Sequence, residues 1–282
     1  MMSGELQQTE LLLLLLATIG YVAAWALYLG VFLTGGEKLG SWAKVLIWAA
    51  WLLHAASFSV RTYRAGHLPI YNAYEFSSAF AGGIVLAHLI FERLSRRRDL
   101  ALFIIPVALG LLFHAWMLAK AVEPIIPIFR SFWLKTHILT AFVAYSSFAA
   151  TFAASCLYIV RSKSPAPLPT EEKRTINPRT LDNVAYRAAT VGFCFLSVCI
   201  ISGAIWAEYV WGRFWSWDPK ETWSLITWLI FAAYLHTRYH RGWRERRAAI
   251  LGVVGFTLVL ITYLGVDIVS PGQHDFLLWR RQ

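Results

Sequence analysis

Eight stretches of about 20 apolar residues, separated by short polar segments, dominate the pattern of hydrophobic and polar positions along the chain. A helix of that length crosses a hydrocarbon core of about 30 Å. Because a backbone inside lipid must satisfy its own hydrogen bonds, the pattern predicts helices. The predicted fold class is an all-α polytopic membrane protein with about eight transmembrane helices. The predicted spans are 11–33, 42–60, 76–92, 100–118, 136–160, 184–206, 222–238 and 248–267.

Composition supports this interpretation, since 58% of the 282 residues are hydrophobic and only 15% are charged. A soluble domain of this length cannot bury so much apolar surface. The first apolar stretch follows acidic residues, Glu5 and Glu10. It is also longer than the apolar core of a signal peptide, which predicts a retained spanning helix. The three cysteines lie inside apolar stretches without a CxxC spacing and are interpreted as inert core thiols.

Basic residues are distributed unevenly between the loops on the two sides of the predicted membrane. One set of loops, which includes 92–99, 161–187 and 238–247, carries 17 of the 26 lysines and arginines, and the other set carries 9. The positive-inside rule makes the first set cytoplasmic and places both termini outside. The basic excess behind the net charge of +10 is therefore interpreted as the signal that orients the protein in its lipid bilayer. No basic patch is interleaved with exposed aromatic residues, so no nucleic-acid partner is predicted.

The predicted organisation is a single membrane domain over residues 1–282. Residues 162–183 are rich in proline and charge and are interpreted as a cytoplasmic linker between two groups of helices. The external gaps are short, so any large soluble function must come from a partner. The most distinctive external segment covers residues 206–221.

Five tryptophans crowd this external segment and the start of the next span: Trp206, Trp211, Trp215, Trp217 and Trp223. An aromatic belt at the membrane interface needs only one or two aromatic residues at each helix end. The excess favours a platform on which a flat aromatic ligand stacks, although the belt remains an alternative from spacing alone.

Two acidic residues follow the tryptophans in the pattern that begins a helix. Asp218 precedes Pro219, and Glu221 lies three positions after Asp218. Asp at the N-cap, Pro at the first helical position and Glu at the third are the expected residues of a helix N-terminus. The spacing therefore predicts that span seven begins here, and leaves open whether the carboxylates do more than cap it.

Two histidines are predicted at the same depth as the tryptophans. His137 begins span five, and His274 follows span eight. Two imidazoles on opposite sides of a flat ring are what a six-coordinate haem requires, although a lone histidine at a helix end is more often a polar anchor. His236 lies 15 residues past Glu221, or roughly 22 Å deeper, near the cytoplasmic end. Ionisable groups at membrane depth are functional candidates.

Other polar residues in or near the spans are open to simpler interpretations. His54, His88 and His114 lie within spans and are interpreted as structural, each satisfied by a neighbouring helix or water. Arg61 and Arg64 lie in an external gap against the topological trend. They fit either an anionic group such as a propionate or lipid headgroups.

These residues resemble those of a known family. The segment "WGRFWSWDPKE" (211–221) resembles the tryptophan-rich WWD signature of membrane proteins that handle haem. The following "TWSLITWLIFAAYLHTR" (222–238) narrows the resemblance to the cytochrome c-type biogenesis protein CcsA family, also called CcsB or ResC. Matching pieces occur in the same order at 66–75, 132–148 and 262–276, so the resemblance covers most of the chain from about residue 50 onward.

The resemblance implies a role in System II, which delivers haem b and attaches it to the CxxCH motif of apocytochrome c. By that resemblance His137 and His274 are the external haem ligands, and His236 is an inner ligand whose partner histidine comes from a CcsB/ResB-type membrane protein. It also implies thiol reductant proteins on the outer face and no identified catalytic residue. The residues of the tryptophan-rich segment that hold the haem are then Trp211, Trp215, Trp217 and Asp218.

The implied location is the inner (plasma) membrane of a cell, or the thylakoid membrane in a plastid, with both termini and the WWD segment outside. Two positions depart from the family pattern: "HDF" (274–276) stands where "HSY" is common, and Asp267 stands where asparagine is common. Two alternatives remain. One is a HemX-like regulator or chaperone of haem synthesis, and the other is a haem-free channel or structural subunit.

Overall fold

The computed structural model describes residues 2–95, 98–118, 120–122, 127–162, 178–240 and 245–266, and within these ranges it is helical without strands. The predicted all-α class is confirmed. A short 3-10 turn precedes the fifth helix, and a π-helical turn, Ile261–Gly265, follows the eighth. The helices are α1 (Met2–Thr34), α2 (Glu37–Ala65), α3 (Ala73–Ser95), α4 (Ala101–Met117), α5 (Phe132–Arg161), α6 (Pro178–Trp211), α7 (Pro219–His240) and α8 (Glu245–Leu260).

Each predicted span coincides with one helix, and most helices extend beyond it into polar residues. Six helices of the described part are long and apolar enough to cross a membrane, and α4 is a shorter apolar helix. The predicted number of eight membrane crossings is therefore approximate. Helix α7 is long enough to cross a membrane, but its mean hydropathy is lower than that of the six candidate spans. Trp223, Trp228, Tyr234 and His236 lower it, and aromatic residues of this kind favour interfaces over the hydrocarbon core.

The chain forms two compact units, the first holding α1–α4 and the second α5–α8, where the sequence predicts a single membrane domain. Residues 163–177 of the predicted linker lie outside the described residues. Its last residues already belong to α6, which begins with Pro178 at its first position. Proline is favoured there because the first helical amide has no partner within the helix.

A buried cluster of opposite charges occupies the first unit. The Arg61 guanidinium donates to Glu75 Oε1 at 2.9 and 3.1 Å and lies 3.6 Å from Glu10. Arg64 pairs with Glu10 Oε2, and the Tyr74 hydroxyl donates to Glu10 Oε1 at 3.1 Å. Glu10, Arg61 and Glu75 are each 3% exposed or less. These carboxylates therefore neutralise the two arginines, whose partners the sequence left open between a propionate and lipid headgroups.

The histidines interpreted as structural have partners inside the first unit. His54 bridges the Tyr21 hydroxyl at 3.2 Å and the Ser78 hydroxyl at 3.0 Å. His114 lies 2.9 Å from the Ser77 hydroxyl. The fully buried His88 lies 3.5 Å from a Glu92 oxygen. Hydrogen bonds of this kind satisfy His54 and His114, whereas neither ring nitrogen of His88 has a hydrogen-bond partner in the described part of the chain.

In the second unit, glycines bring helices close together, and aromatic rings fill the contacts. Phe148 of α5 stacks on Phe231 of α7 with ring centroids 3.6 Å apart. A Cβ added to Gly192 would meet Phe148 at 2.5 Å, and one added to Gly255 would meet Phe231 at 2.7 Å. Small residues allow this close approach of helices, as in membrane interfaces generally.

An ion pair joins the start of α6 to the end of α7. The Arg238 guanidinium donates twice to the Asp182 carboxylate, once at 2.8 Å, and it lies 4.8 Å from the centre of the Tyr186 ring. Both charged side chains are largely buried. A bidentate Arg–carboxylate pair fixes orientation as well as distance, so it sets the register of α6 against α7.

Replacement of Arg61 by methionine is expected to destabilise the first unit, because the buried Glu75 carboxylate would lose its charged partner and Glu10 would keep only Arg64. Loss of one member of a buried pair costs about 3–5 kcal/mol. The midpoint of thermal unfolding of the full chain in detergent, followed by circular dichroism, measures the effect. The double variant Arg61→Met, Glu75→Gln should recover much of it, and the exposed Lys38→Met is the control. An unchanged midpoint for Arg61→Met would contradict this role.

Candidate functional site

A connection of seven residues, 212–218, joins α6 to α7 and contains Trp215 and Trp217 of the tryptophan-rich segment. Helix α6 ends at Trp211, after which Gly212 adopts φ 68° and donates its N–H to the Glu208 carbonyl at 2.9 Å. Glycine takes this left-handed conformation without steric cost and commonly ends helices in this way. The chain therefore turns sharply at Gly212.

The predicted cap of α7 is confirmed. The Asp218 side chain accepts the Lys220 N–H at 2.9 Å, and the Asp218 carbonyl accepts the Thr222 N–H at 2.9 Å as the first helical bond. Pro219 occupies the first helical position. The Glu221 carboxylate reaches back to the Asp218 N–H at 3.1 Å, which completes a capping box.

Glu221 also makes contacts that a cap does not need. The same oxygen, Oε2, accepts the Ser216 N–H at 2.8 Å and lies 3.2 Å from the Ser216 hydroxyl. Trp217, between the two bonded amides, has φ 59° and is the one described residue other than glycine with positive φ. Such a conformation costs about 1–3 kcal/mol in a residue with a side chain. The sequence carries no signal for this feature, because a capping box alone accounts for Glu221.

The tryptophans form two pairs. Trp206 and Trp211 meet edge to face with centroids 5.2 Å apart, and Trp215 and Trp217 do so at 5.8 Å. Trp206 is buried, and its indole N–H lies 3.4 Å from the Ile128 carbonyl. The structure therefore divides a set that the sequence presents as one group.

The second pair is partly open to ligands. Trp217 is 69% exposed. Trp215 carries an indole N–H that is buried without a hydrogen-bond partner in the described part of the chain. Farther along α7, Trp228 is held differently: its N–H donates to the Ser197 hydroxyl at 2.8 Å. Trp228 thus packs inside the second unit, while Trp217 presents a large apolar ring at the surface.

His137 lies near the start of α5 and is fixed by α6. Its Nδ1 is 2.8 Å from the Cys199 carbonyl oxygen. Because a carbonyl can only accept, this hydrogen bond requires the proton to be on Nδ1, which leaves the lone pair of Nε2 for a ligand. Histidines that ligate metals usually carry this kind of supporting hydrogen bond on the other nitrogen.

The close approach of His137 to α6 depends on a glycine. A Cβ added to Gly203 would lie 2.6 Å from His137 Nδ1 and 2.9 Å from Cε1. Cys199, Gly203 and Trp206 lie on one face of α6 at helical spacing, and Trp206 contacts Phe129 beside the start of α5. His137 and the tryptophan-rich connection therefore lie at the same end of the second unit.

His236 lies at the other end of this unit, two residues before the Arg238–Asp182 pair. Its ring is exposed and packs against His240 with centroids 4.6 Å apart. Leu229 and Ala233 are exposed on the same face of α7. The structure thus separates His236 from His137, as predicted. His274 lies outside the described residues.

Comparison with known proteins gives a consistent result. Residues 70–274 match the family model described as cytochrome C assembly protein. The cytochrome c biogenesis protein CcsA of Synechococcus elongatus is 36% identical over 272 residues, covering 80% of this chain and 84% of the relative. The CcsA protein of Microcystis aeruginosa is 34% identical, covering 96% of both chains.

Among solved structures, the chain is similar to the cytochrome c haem lyase CcmF, with a TM-score of 0.69 and 18% sequence identity. The match covers 98% of this chain and 51% of CcmF, so this chain spans about half the length of that protein. At this identity the likeness shows a shared fold.

Proposed function

We propose that this chain, which belongs to the cytochrome c assembly protein family, carries haem across the membrane and takes part in attaching it to apocytochrome c. It acts in this proposal as the CcsA subunit of a System II synthase, together with a CcsB/ResB-type membrane protein. The substrate is haem b. The names of the curated relatives, cytochrome c biogenesis protein CcsA, support this role.

The observation that carries the proposal is the fixed imidazole of His137 at the same end of the unit as the exposed Trp217. The bond to the Cys199 carbonyl sets the tautomer of His137 and leaves Nε2 for iron. The Trp217 ring offers a flat apolar surface of the kind on which a porphyrin stacks. A nitrogen ligand at the same end of the unit as an exposed aromatic ring fits a haem better than it fits a bare metal ion.

His274 is the proposed second axial ligand on the outer face. Two histidines saturate the iron and protect it until the histidine of the CxxCH motif replaces one of them. Trp211 and Trp215, together with Trp217 and Asp218, hold the face and edge of the haem in this arrangement. Asp218 is already engaged as a helix cap, so it acts mainly through the position of the connection.

The attachment reaction requires positioning above all. Each cysteine S–H of the apocytochrome adds across one vinyl group of haem, the sulfur bonding to one carbon and the hydrogen going to the other. The addition itself needs no net oxidation, but the haem iron and both thiols must be reduced, which thiol reductant proteins of the outer face support. Correct placement of two reacting groups accounts for a large part of enzymatic rate enhancement.

His236 is the proposed ligand of an inner haem site. Its ring is exposed on α7, and α7 is less apolar than the six candidate spans. A histidine at membrane depth normally faces protein or a water-filled cavity. The proposal therefore assigns the covering surface and the second histidine to the CcsB/ResB-type partner.

A HemX-like regulator or chaperone of haem synthesis is the alternative function. It shares the membrane fold and the handling of haem but does not form covalent cytochrome. The combination of His137, His274 and a complete WWD segment favours the synthase subunit.

The purified chain is expected to show the absorption spectrum of bis-histidine haem. His137→Ala and His274→Ala should each lose most of that spectrum, because one axial ligand is removed, and added imidazole should restore part of it. His67→Ala, a change in the loop that precedes α3, is the matched control. Wild-type protein without haem, or an unchanged spectrum in His137→Ala, would overturn the outer site.

Gly203→Ala is expected to lower haem occupancy although residue 203 bears no ligand. The added Cβ would displace the His137 imidazole, which lies within 2.9 Å of its position. Haem bound per protein, measured by absorption after purification, tests the effect. Gly110→Ala makes the same chemical change in open space, with nothing within 4 Å, and should behave as wild type. Equal occupancy in the two variants would show that His137 does not depend on this contact.

A further inference from the structure

The Glu221 carboxylate gathers an unusual number of hydrogen bonds for a residue that completes a helix cap. Its Oε2 accepts the N–H groups of Ser216 and Asp218 at 2.8 and 3.1 Å, and the Ser216 hydroxyl lies 3.2 Å away. A capping box requires only the bond to the N-cap amide, here that of Asp218. The bonds to Ser216 lie upstream of the helix and need another explanation.

The two bonded amides flank Trp217, which is left-handed with φ 59°. Amides on either side of one residue reach a single oxygen only if the chain between them turns sharply. A backbone turn of this kind forms a concave nest whose N–H groups bind an anion. In this chain the anion is the Glu221 carboxylate itself, so the carboxylate stabilises a backbone conformation that a bulky residue rarely adopts.

The conformation has a visible consequence for the side chain. The Trp217 indole is 69% exposed and stands edge to face with Trp215, their ring planes 88° apart. Trp206, by contrast, lies in a regular helix and is 6% exposed. Trp217, the left-handed residue, is therefore the more exposed of the two tryptophans in the connection.

We propose that Glu221 is a positioning residue, whose carboxylate holds Trp217 in the left-handed conformation and thereby presents its indole to haem at the outer face. The part that concerns haem rests on the proposed function. The part that concerns the backbone stands on the geometry of residues 216–221 alone. Glu221 touches no haem atom in this proposal and acts through Trp217.

A plain cap makes a different prediction from a positioning residue. A cap stabilises only the first turn of α7, and its loss frays that turn. A positioning residue also protects the Ser216 amide and changes haem binding only through the ring at position 217. The two roles are therefore separable by amide exchange and by a double-mutant cycle.

The first test compares Glu221→Ala and Glu221→Gln in the full-length protein purified in detergent. Hydrogen–deuterium exchange of the peptide over 213–218 should accelerate about tenfold in Glu221→Ala, the factor expected for one net hydrogen bond. Haem bound per protein should fall severalfold. Glu221→Gln should keep most of both, because its amide oxygen accepts the same hydrogen bonds. Glu208→Ala removes a carboxylate from the end of α6 without touching this turn and should match wild type.

The second test adds Trp217→Gly, since glycine adopts positive φ without cost and presents no ring. If Glu221 acts through Trp217, Glu221→Ala should lower haem occupancy in the wild-type background and lower it no further in the Trp217→Gly background. Additive losses in the double variant would overturn the positioning role.

The outcomes distinguish this inference from the proposed function. If wild type binds haem and Glu221→Ala binds it equally well, the positioning role is wrong and the proposed function stands. If wild type binds no haem, the proposed function fails, and the haem part of the inference fails with it. Unchanged exchange over 213–218 in Glu221→Ala would overturn the backbone role itself, whatever the haem content.

Discussion

The proposed outer site depends on one contact, the hydrogen bond from His137 on α5 to the Cys199 carbonyl on α6. Gly203 makes this contact possible, because any side chain there would occupy the space of the imidazole. Trp206, one turn farther along the same face, contacts the turn that precedes α5. The end of α6 is thereby anchored to α5, and the tryptophan-rich connection starts from a fixed point. Without that anchor, neither the tautomer of His137 nor its position at the same end of the unit as Trp217 would be defined.

The two units differ in how far their polar and aromatic side chains are buried and paired. In the first unit the buried ionisable side chains face one another, as Arg61 does with Glu75 and His54 with Tyr21 and Ser78. Such pairing stabilises structure and leaves little for a ligand. The second unit also contains a buried ion pair, Arg238 with Asp182, but two of its candidate ligand-binding side chains, Trp217 and His236, are exposed. Exposed aromatic and ionisable groups in a membrane protein indicate binding surfaces, which is why the proposed haem sites lie in the second unit.

Local patterns in the sequence predict local structure well here. Apolar stretches predict the eight α-helices found among the described residues, and the Asp–Pro–x–Glu spacing predicts the start of α7, because helices and caps depend on residues close in the chain. Pairings across the fold were not predictable in this way. Arg64 meets Glu10, which lies 54 residues away in another helix, and nothing in either local pattern selects the partner.

At the candidate site, too, the sequence indicates features that depend on neighbouring residues and does not indicate contacts between distant ones. The sequence predicted His137 and the tryptophan-rich connection at the same depth, and the structure places them at the same end of the second unit. The sequence did not separate the buried Trp206 from the exposed Trp217, since that difference comes from a backbone angle held by Glu221. The supporting roles of Cys199 and Gly203 were also missed, because each acts on a histidine more than 60 residues away.

The most direct test of the central claim is formation of covalent cytochrome in cells. This chain is co-expressed with a CcsB/ResB-type partner and an apocytochrome c bearing a CxxCH motif, and covalently bound haem is detected on a denaturing gel. We expect a haem-stained cytochrome that depends on this chain and is lost with His137→Ala. Absence of covalent haem with every CcsB/ResB-type partner, or undiminished cytochrome with His137→Ala, would contradict it.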